Sequence, residues 1–130
     1  MLNPRRIESD TCPPKFINLR DGTWYYNYDI KSRVAEVPIG DGSNDLVEKT
    51  RWSYIQVRIT GNPEYKKCVE TLIRMHITQN QEFDLINTAN RVLLNVGVER
   101  TVPPKYLEYL NLVDEIKTKV KEDFQLNPLI

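Results

Sequence analysis

Cysteine and histidine are scarce in this chain, and each scarcity removes a class of chemistry. Two cysteines, Cys12 and Cys68, stand far apart in 130 residues. That is too few for a disulfide framework of the kind that staples small secreted domains. Cys68 falls at an apolar helix position, where a buried free thiol is expected. The only histidine is His76. One histidine and two distant cysteines do not make a zinc site. Nucleophilic catalysis needs a base beside its nucleophile, and His76 lies on the apolar stripe of a helix, where a hydrogen-bonded core or boundary role is expected. There are only five glycines. No glycine-rich phosphate loop, GxSxG elbow or Ser-x-x-Lys motif is present.

An excess of charge is missing as well. Eighteen basic residues balance eighteen acidic ones, and the balance holds in each half of the chain. No broad positive field exists of the kind a phosphate backbone or an anionic bilayer selects, so neither nucleic acid nor membrane is an expected partner. No apolar run approaches the roughly 20 residues that span a bilayer. The first ten residues, "MLNPRRIESD", lack the apolar core of a secretory signal. A reduced, cytoplasmic protein is expected, with a hydrophobic core of its own.

What is present is a change of period. Residues 1–14 hold three prolines and little periodicity, and read as an extended arm. "KFINLR", "DG" and "TWYYNYDI" then form a hairpin signal, because a type I′ turn suits Asp-Gly. Alternation puts Trp24, Tyr26, Tyr28 and Ile30 on one face and Tyr25, Asn27 and Asp29 on the other. The runs "SRVAEVPI" and "TRWSYIQVRIT" complete three or four antiparallel strands in a meander over residues 15–60.

After Gly61 the spacing becomes helical. Asn62 as N-cap and Pro63 at the first position would open a helix carrying Tyr65, Cys68, Val69, Leu72, Ile73, His76 and Ile77 on one side. Thr78 with Gln81 reads as a capping box for a second helix lined by Phe83, Ile86, Ala89 or Asn90, Leu93 and Leu94, ending at Gly97. Pro103 and Pro104 open a third, in which Tyr106, Tyr109, Val113, Ile116 and Val120 recur at 3-4 spacing. Strands followed by helices, without alternation, predict an α+β fold. The expected layout is a single domain over residues 15–124, with the sheet at 15–60, the helices at 62–124 and a tail at 125–130.

The remaining constellations carry little chemistry. Asp41, Ser43 and Asp45 match the start of a calcium loop, but Leu46 replaces the glycine and Trp52 the final bidentate glutamate. A hairpin connection accounts for "GDGSND", and no metal or cofactor is expected. Adjacent carboxylates such as Asp114 with Glu115, or Glu122 with Asp123, read as a solvated helix face. Seven of the twelve aromatics lie in the strand half. Stacked on a sheet, they would bind a ligand or form core; core is expected for Trp24, Tyr26 and Tyr28.

Five pieces in order make a pattern: Trp24 to Asp29, "YIQVRI" (54–59), "NPEYKKCVETLIR" (62–74), "EFDLIN" (82–87) and "YLEYLNLVDEIKTKVKED" (106–123). The pattern resembles that of small proteins encoded among the tail and morphogenesis genes of prophages in gut anaerobes, over residues 23–123. The resemblance implies a structural or assembly-associated protein of the host cytoplasm or the virion. It carries over no catalytic residue. The expected function is therefore non-catalytic, through protein–protein contacts or self-association, with Tyr25, Trp52, Tyr106, Tyr109 and Leu129 as contact residues. A small-molecule ligand is not expected. The alternative is a ligand- or peptide-binding module using the aromatic sheet face.

Overall fold

Thr23 to Pro38 is rich in aromatic and β-branched residues, which suit a pleated, half-buried surface. It forms one long strand rather than the two separate runs expected. In the computed structural model, which describes residues 1–40, 42, 45–97 and 101–126, the strands are β1 (Ile7–Ser9), β2 (Phe16–Asn18), β3 (Thr23–Pro38) and β4 (Leu46–Thr60). The helices are α1 (Tyr65–His76), α2 (Gln79–Leu93) and α3 (Pro104–Leu126). The fold is α+β: a four-stranded antiparallel sheet in the order β1-β4-β3-β2, followed by three helices. The chain divides into two compact units, Arg5–Pro63 and the helices with Met1–Pro4.

In the sheet unit, β2, β3 and β4 form the expected meander. The fourth strand comes from the segment read as an extended arm, since Ile7, Glu8 and Ser9 pair with Tyr54, Ser53 and Trp52. The β2–β3 connection is longer than a two-residue Asp-Gly turn. Leu19 N–H reaches the Thr23 carbonyl at 3.1 Å, so Arg20, Asp21 and Gly22 form the loop, and Arg20 and Gly22 take positive φ. Asp21 Oδ1 instead accepts the Thr23 N–H at 3.0 Å, an Asx turn.

A bulge resets the alternation of β3. Tyr28 pairs with Ile55, and the next pair is Lys31 with Ser53, so Asp29 and Ile30 together oppose Tyr54. Asp29 absorbs the irregularity at φ 54°, a left-handed conformation that Asp tolerates better than most residues. Face one therefore carries Trp24, Tyr26, Tyr28, Ile55, Val57 and Ile59, and continues with Lys31, not the expected Ile30. Face two carries Tyr25, Asn27, Gln56 and Arg58. Tyr26, Tyr28, Ile55, Val57 and Ile59 are buried. Asn27 is buried too, and fully satisfied: its amide donates to the Pro14 carbonyl at 2.8 Å and accepts from Gln56 Nε2 at 3.0 Å.

The helical unit packs α1 and α2 against α3. α1 buries Cys68, Val69 and Leu72, and Ile77 follows just beyond it. α3 buries Tyr109, Ile116 and Val120 of the expected stripe. Helix α1 starts later than the sequence suggests: its N-cap is Glu64, without a side-chain cap, rather than Asn62. The Thr78–Gln81 capping box forms as expected. At the other end of α1, Leu2 N–H donates to the His76 carbonyl at 2.7 Å, satisfying one of the orphan acceptors of a helix terminus. α2 is rotated from its expected orientation. Ala89 is buried, whereas Phe83, Leu93 and Leu94 are exposed, because the side anchored to α3 is that of Glu82.

Candidate functional site

Strand pairing decides what the aromatic run can do. Tyr26 is 0% exposed, stacked on Phe16 at 5.0 Å and 13°, and meets Tyr28 edge-on at 6.2 Å. Offset and edge-to-face contacts of this kind are how buried aromatics pack. Two rings of the run therefore serve as core walls, and a stacking platform would need them open.

Of the five residues expected at contacts, Tyr25 and Trp52 belong to the sheet unit and Tyr106 and Tyr109 to the helical unit. Tyr25 and Trp52 both belong to face two and are half-buried. Tyr25 opposes Arg58, six positions along β4 from Trp52, a separation of roughly 20 Å. Tyr106 is half-buried, its ring 6.2 Å from that of Tyr109. Tyr109, expected among the contact residues, is only 8% exposed: its hydroxyl donates to Glu82 Oε2 and its ring packs inside the helical unit. Leu129 lies outside the described residues, as do Asp41 and Ser43 of the calcium-like loop.

Burial pushes the Tyr109 phenol up to about 12, and acceptance by the Glu82 carboxylate adds to the shift. Burial would raise Glu82, but the hydrogen bonds from Tyr109 and Arg74 outweigh it and hold the carboxyl below its ordinary value. Burial likewise lifts the Cys68 thiol to about 12, so the thiolate a nucleophile or metal ligand needs is suppressed. His76 Nδ1 donates to the Leu72 carbonyl at 2.7 Å, a helix back-bond that engages this ring nitrogen. A hollow of about 240 Å³ lies beside the start of α2, with Met1, Ile77 and Leu85 against Asp84 and Lys105. It is smaller than the clefts that enclose drug-sized ligands. Among the described residues, no three histidine, cysteine or acidic side chains are grouped to hold a metal ion.

The most distinctive surface was not legible beforehand. β1 covers β4 only at Trp52–Tyr54, and β2 covers β3 only at Trp24–Tyr26. Beyond the bulge, Lys31–Pro38 and Leu46–Arg51 run on as a two-stranded ribbon. On face two the ribbon shows Val34 at 65% and Leu46 at 55% exposure, with Pro38, Glu36 and Glu48 also exposed. Trp52 stands at its base on the same face. Face one of the ribbon is charged: Arg33 with Glu8 at 3.1 Å, Lys49 with Asp10 at 3.1 Å, and Arg51 with Asp10 at 2.9 Å. Where the ribbon starts, Arg6 donates to Asp29 Oδ2 at 3.0 Å, the Asp29 carbonyl at 2.6 Å and the Ser53 carbonyl at 3.0 Å. This fork clamps the bulge to β4. In the sequence, "GDGSND" marks the hairpin that joins "SRVAEVPI" to the next strand, but that strand is expected only from Thr50, whereas β4 begins at Leu46, and nothing local says that β1 and β2 stop short of this end.

No helix among the described residues is long and apolar enough to cross a membrane. Comparison with protein-family models, curated proteins and solved structures gives no match for this chain.

Proposed function

We propose that this chain is a non-catalytic assembly component that works through protein–protein contacts made by the β3–β4 ribbon. The observation that carries this reading is the open ribbon itself. A two-stranded ribbon is marginally stable in water, yet this one keeps large apolar side chains such as Val34 and Leu46 exposed on one face. Such a surface has use when a protein covers it. Trp52 is retained from the expected contact residues, as the aromatic nearest this face; Tyr109 is not. The burial of Tyr26 and Tyr28 weighs against a ligand platform, and the suppressed Cys68 thiolate and back-bonded His76 weigh against catalysis. The resemblance to small prophage tail and morphogenesis proteins supports a phage origin, with action in the host cytoplasm or the virion. No cofactor is part of the reading.

The test is site-specific photocrosslinking in the native cell, with the reactive side chain at position 34 or, as a control, at exposed Thr118 on α3. Covalent adducts to protein, whether a second copy or another chain, are expected from position 34 and not from 118. If position 34 yields no more adduct than 118, the ribbon is not a contact surface and the reading fails.

A further inference from the structure

We infer that the partner of the ribbon is a second copy of this chain, stacked face one against face two. The inference rests on the assembly reading above and adds the identity of the partner. Two rungs of the ribbon set like charges directly opposite each other: Arg33 faces Arg51, and Glu36 faces Glu48. Side chains so placed have Cβ atoms roughly 5 Å apart, and the repulsion is destabilising. The chain relieves the first rung itself. Glu8 Oε1 lies 3.1 Å from Arg33 and Oε2 lies 3.7 Å from Arg51. The second rung has no such relief. Among the described residues no cation pairs with Glu36 or Glu48, and both are exposed between Val34, Pro38 and Leu46.

The cations that would relieve it stand on the other face of the same ribbon. There Arg6, Lys31, Arg33, Lys49 and Arg51 meet the carboxylates of Glu8, Asp10 and Asp29. The described ion pairs of this face hold five cations against three carboxylates, so it is cationic where face two is anionic. Apolar residues match as well: on face one Ala35 stands beside Lys49 and Val37 pairs with Val47 on the next rung, to meet Val34 and Leu46 in the stack. Sheets pack face to face at about 10 Å, within reach of a long Arg or Lys side chain. The chain as a whole carries no net charge, so no long-range repulsion opposes association. Because the two complementary surfaces lie on opposite faces of one ribbon, the contact is heterologous. It propagates head to tail, into a ring or a filament, rather than stopping at a two-fold dimer.

Charge swapping tests this directly. Mass in solution is measured by light scattering over a wide concentration range on three proteins: wild type, a Glu36→Lys/Glu48→Lys variant and an Arg33→Glu/Lys49→Glu variant. Circular dichroism reports folding. Wild type should grow past the dimer as concentration rises, and each variant alone should stay monomeric. An equimolar mixture of the two variants should associate again, because each now carries the face the other lacks. A milder pair, Glu36→Gln with Glu48→Gln, removes the repulsion without adding charge. It should melt higher as a monomer yet associate roughly tenfold more weakly, and it covers the case in which a swapped variant does not fold. A wild type that stays monomeric throughout overturns the inference, as does an oligomer that the swaps leave intact. If that monomer still forms adducts to another protein from position 34, the assembly reading stands and only the identity of the partner falls.

Discussion

At the scale of single residues, Tyr109 holds the most informative position in the helical unit. Its periodicity told where it sits on α3, but periodicity cannot distinguish a stripe that packs inside from one that waits for a partner. Burial of the ring and its bond to Glu82 make it the former. Glu82 also accepts from Arg74 Nη2 at 2.6 Å, so phenol, carboxylate and guanidinium form one network. Because the folded phenol titrates at about 12, above the ordinary 10, its contribution to stability is fully present below pH 10. It is lost as the pH rises toward 12, by on the order of 2 kcal/mol. Near-ultraviolet absorbance should show a tyrosine ionisation near pH 12, and Tyr109→Phe should diminish it by one phenol. The same substitution should cost about 1–2 kcal/mol at neutral pH, where it leaves Glu82 one donor short. A late ionisation that Tyr109→Phe leaves undiminished would put Tyr109 in water.

At the scale of elements, the helices show where local sequence suffices and where it does not. The second helix announces its start, because a Thr at the cap and a Gln three positions on satisfy each other's backbone whatever the rest of the chain does. The first starts later than its residue types suggest. Asn62-Pro63 has the right residue types, but the chain remains extended through Glu64, at φ −129° and ψ 150°, and α1 begins with no side-chain cap. These two ends should respond in opposite directions. Thr78→Ala should destabilise the helical unit by about 1 kcal/mol, and Glu64→Ser should stabilise it by up to about 1 kcal/mol, since the backbone there already has cap geometry. Denaturant titration followed by circular dichroism reads both, and a neutral Glu64→Ser would mean that Glu64 is not the effective cap. The strands were less legible for a related reason. Of the three aromatics expected in the core, Tyr26 and Tyr28 are buried and Trp24 is half-buried. The bulge at Asp29, however, depends on Arg6, more than twenty positions away, and no window of sequence around Asp29 contains it.

At the scale of the whole chain, the sheet unit is closed by its most distant pairing. β2, β3 and β4 join neighbours in sequence, while β1 reaches across to Tyr54 and its neighbours on β4. Loop-closure entropy makes such a contact late to form unless strong interactions favour it early. The anchor of β1 is Arg6, whose guanidinium bridges Asp29 and Ser53, and whose planar fork a lysine cannot reproduce. The consequence is kinetic. If the three-stranded meander forms first and β1 docks onto it after the rate-limiting barrier, losing the fork should accelerate unfolding and leave folding alone. Both tryptophans belong to this unit, and Trp52 pairs directly with Ser9 of β1, so stopped-flow fluorescence reports the event without added labels. Arg6→Ala, and nearly as much Arg6→Lys, should raise the unfolding rate roughly tenfold, the equivalent of about one hydrogen bond to a charged group. The refolding rate should be unchanged within error. A refolding rate that falls by the same factor would place β1 in the folding nucleus and assign the edge strand, not the β3–β4 hairpin, the organising role in the sheet.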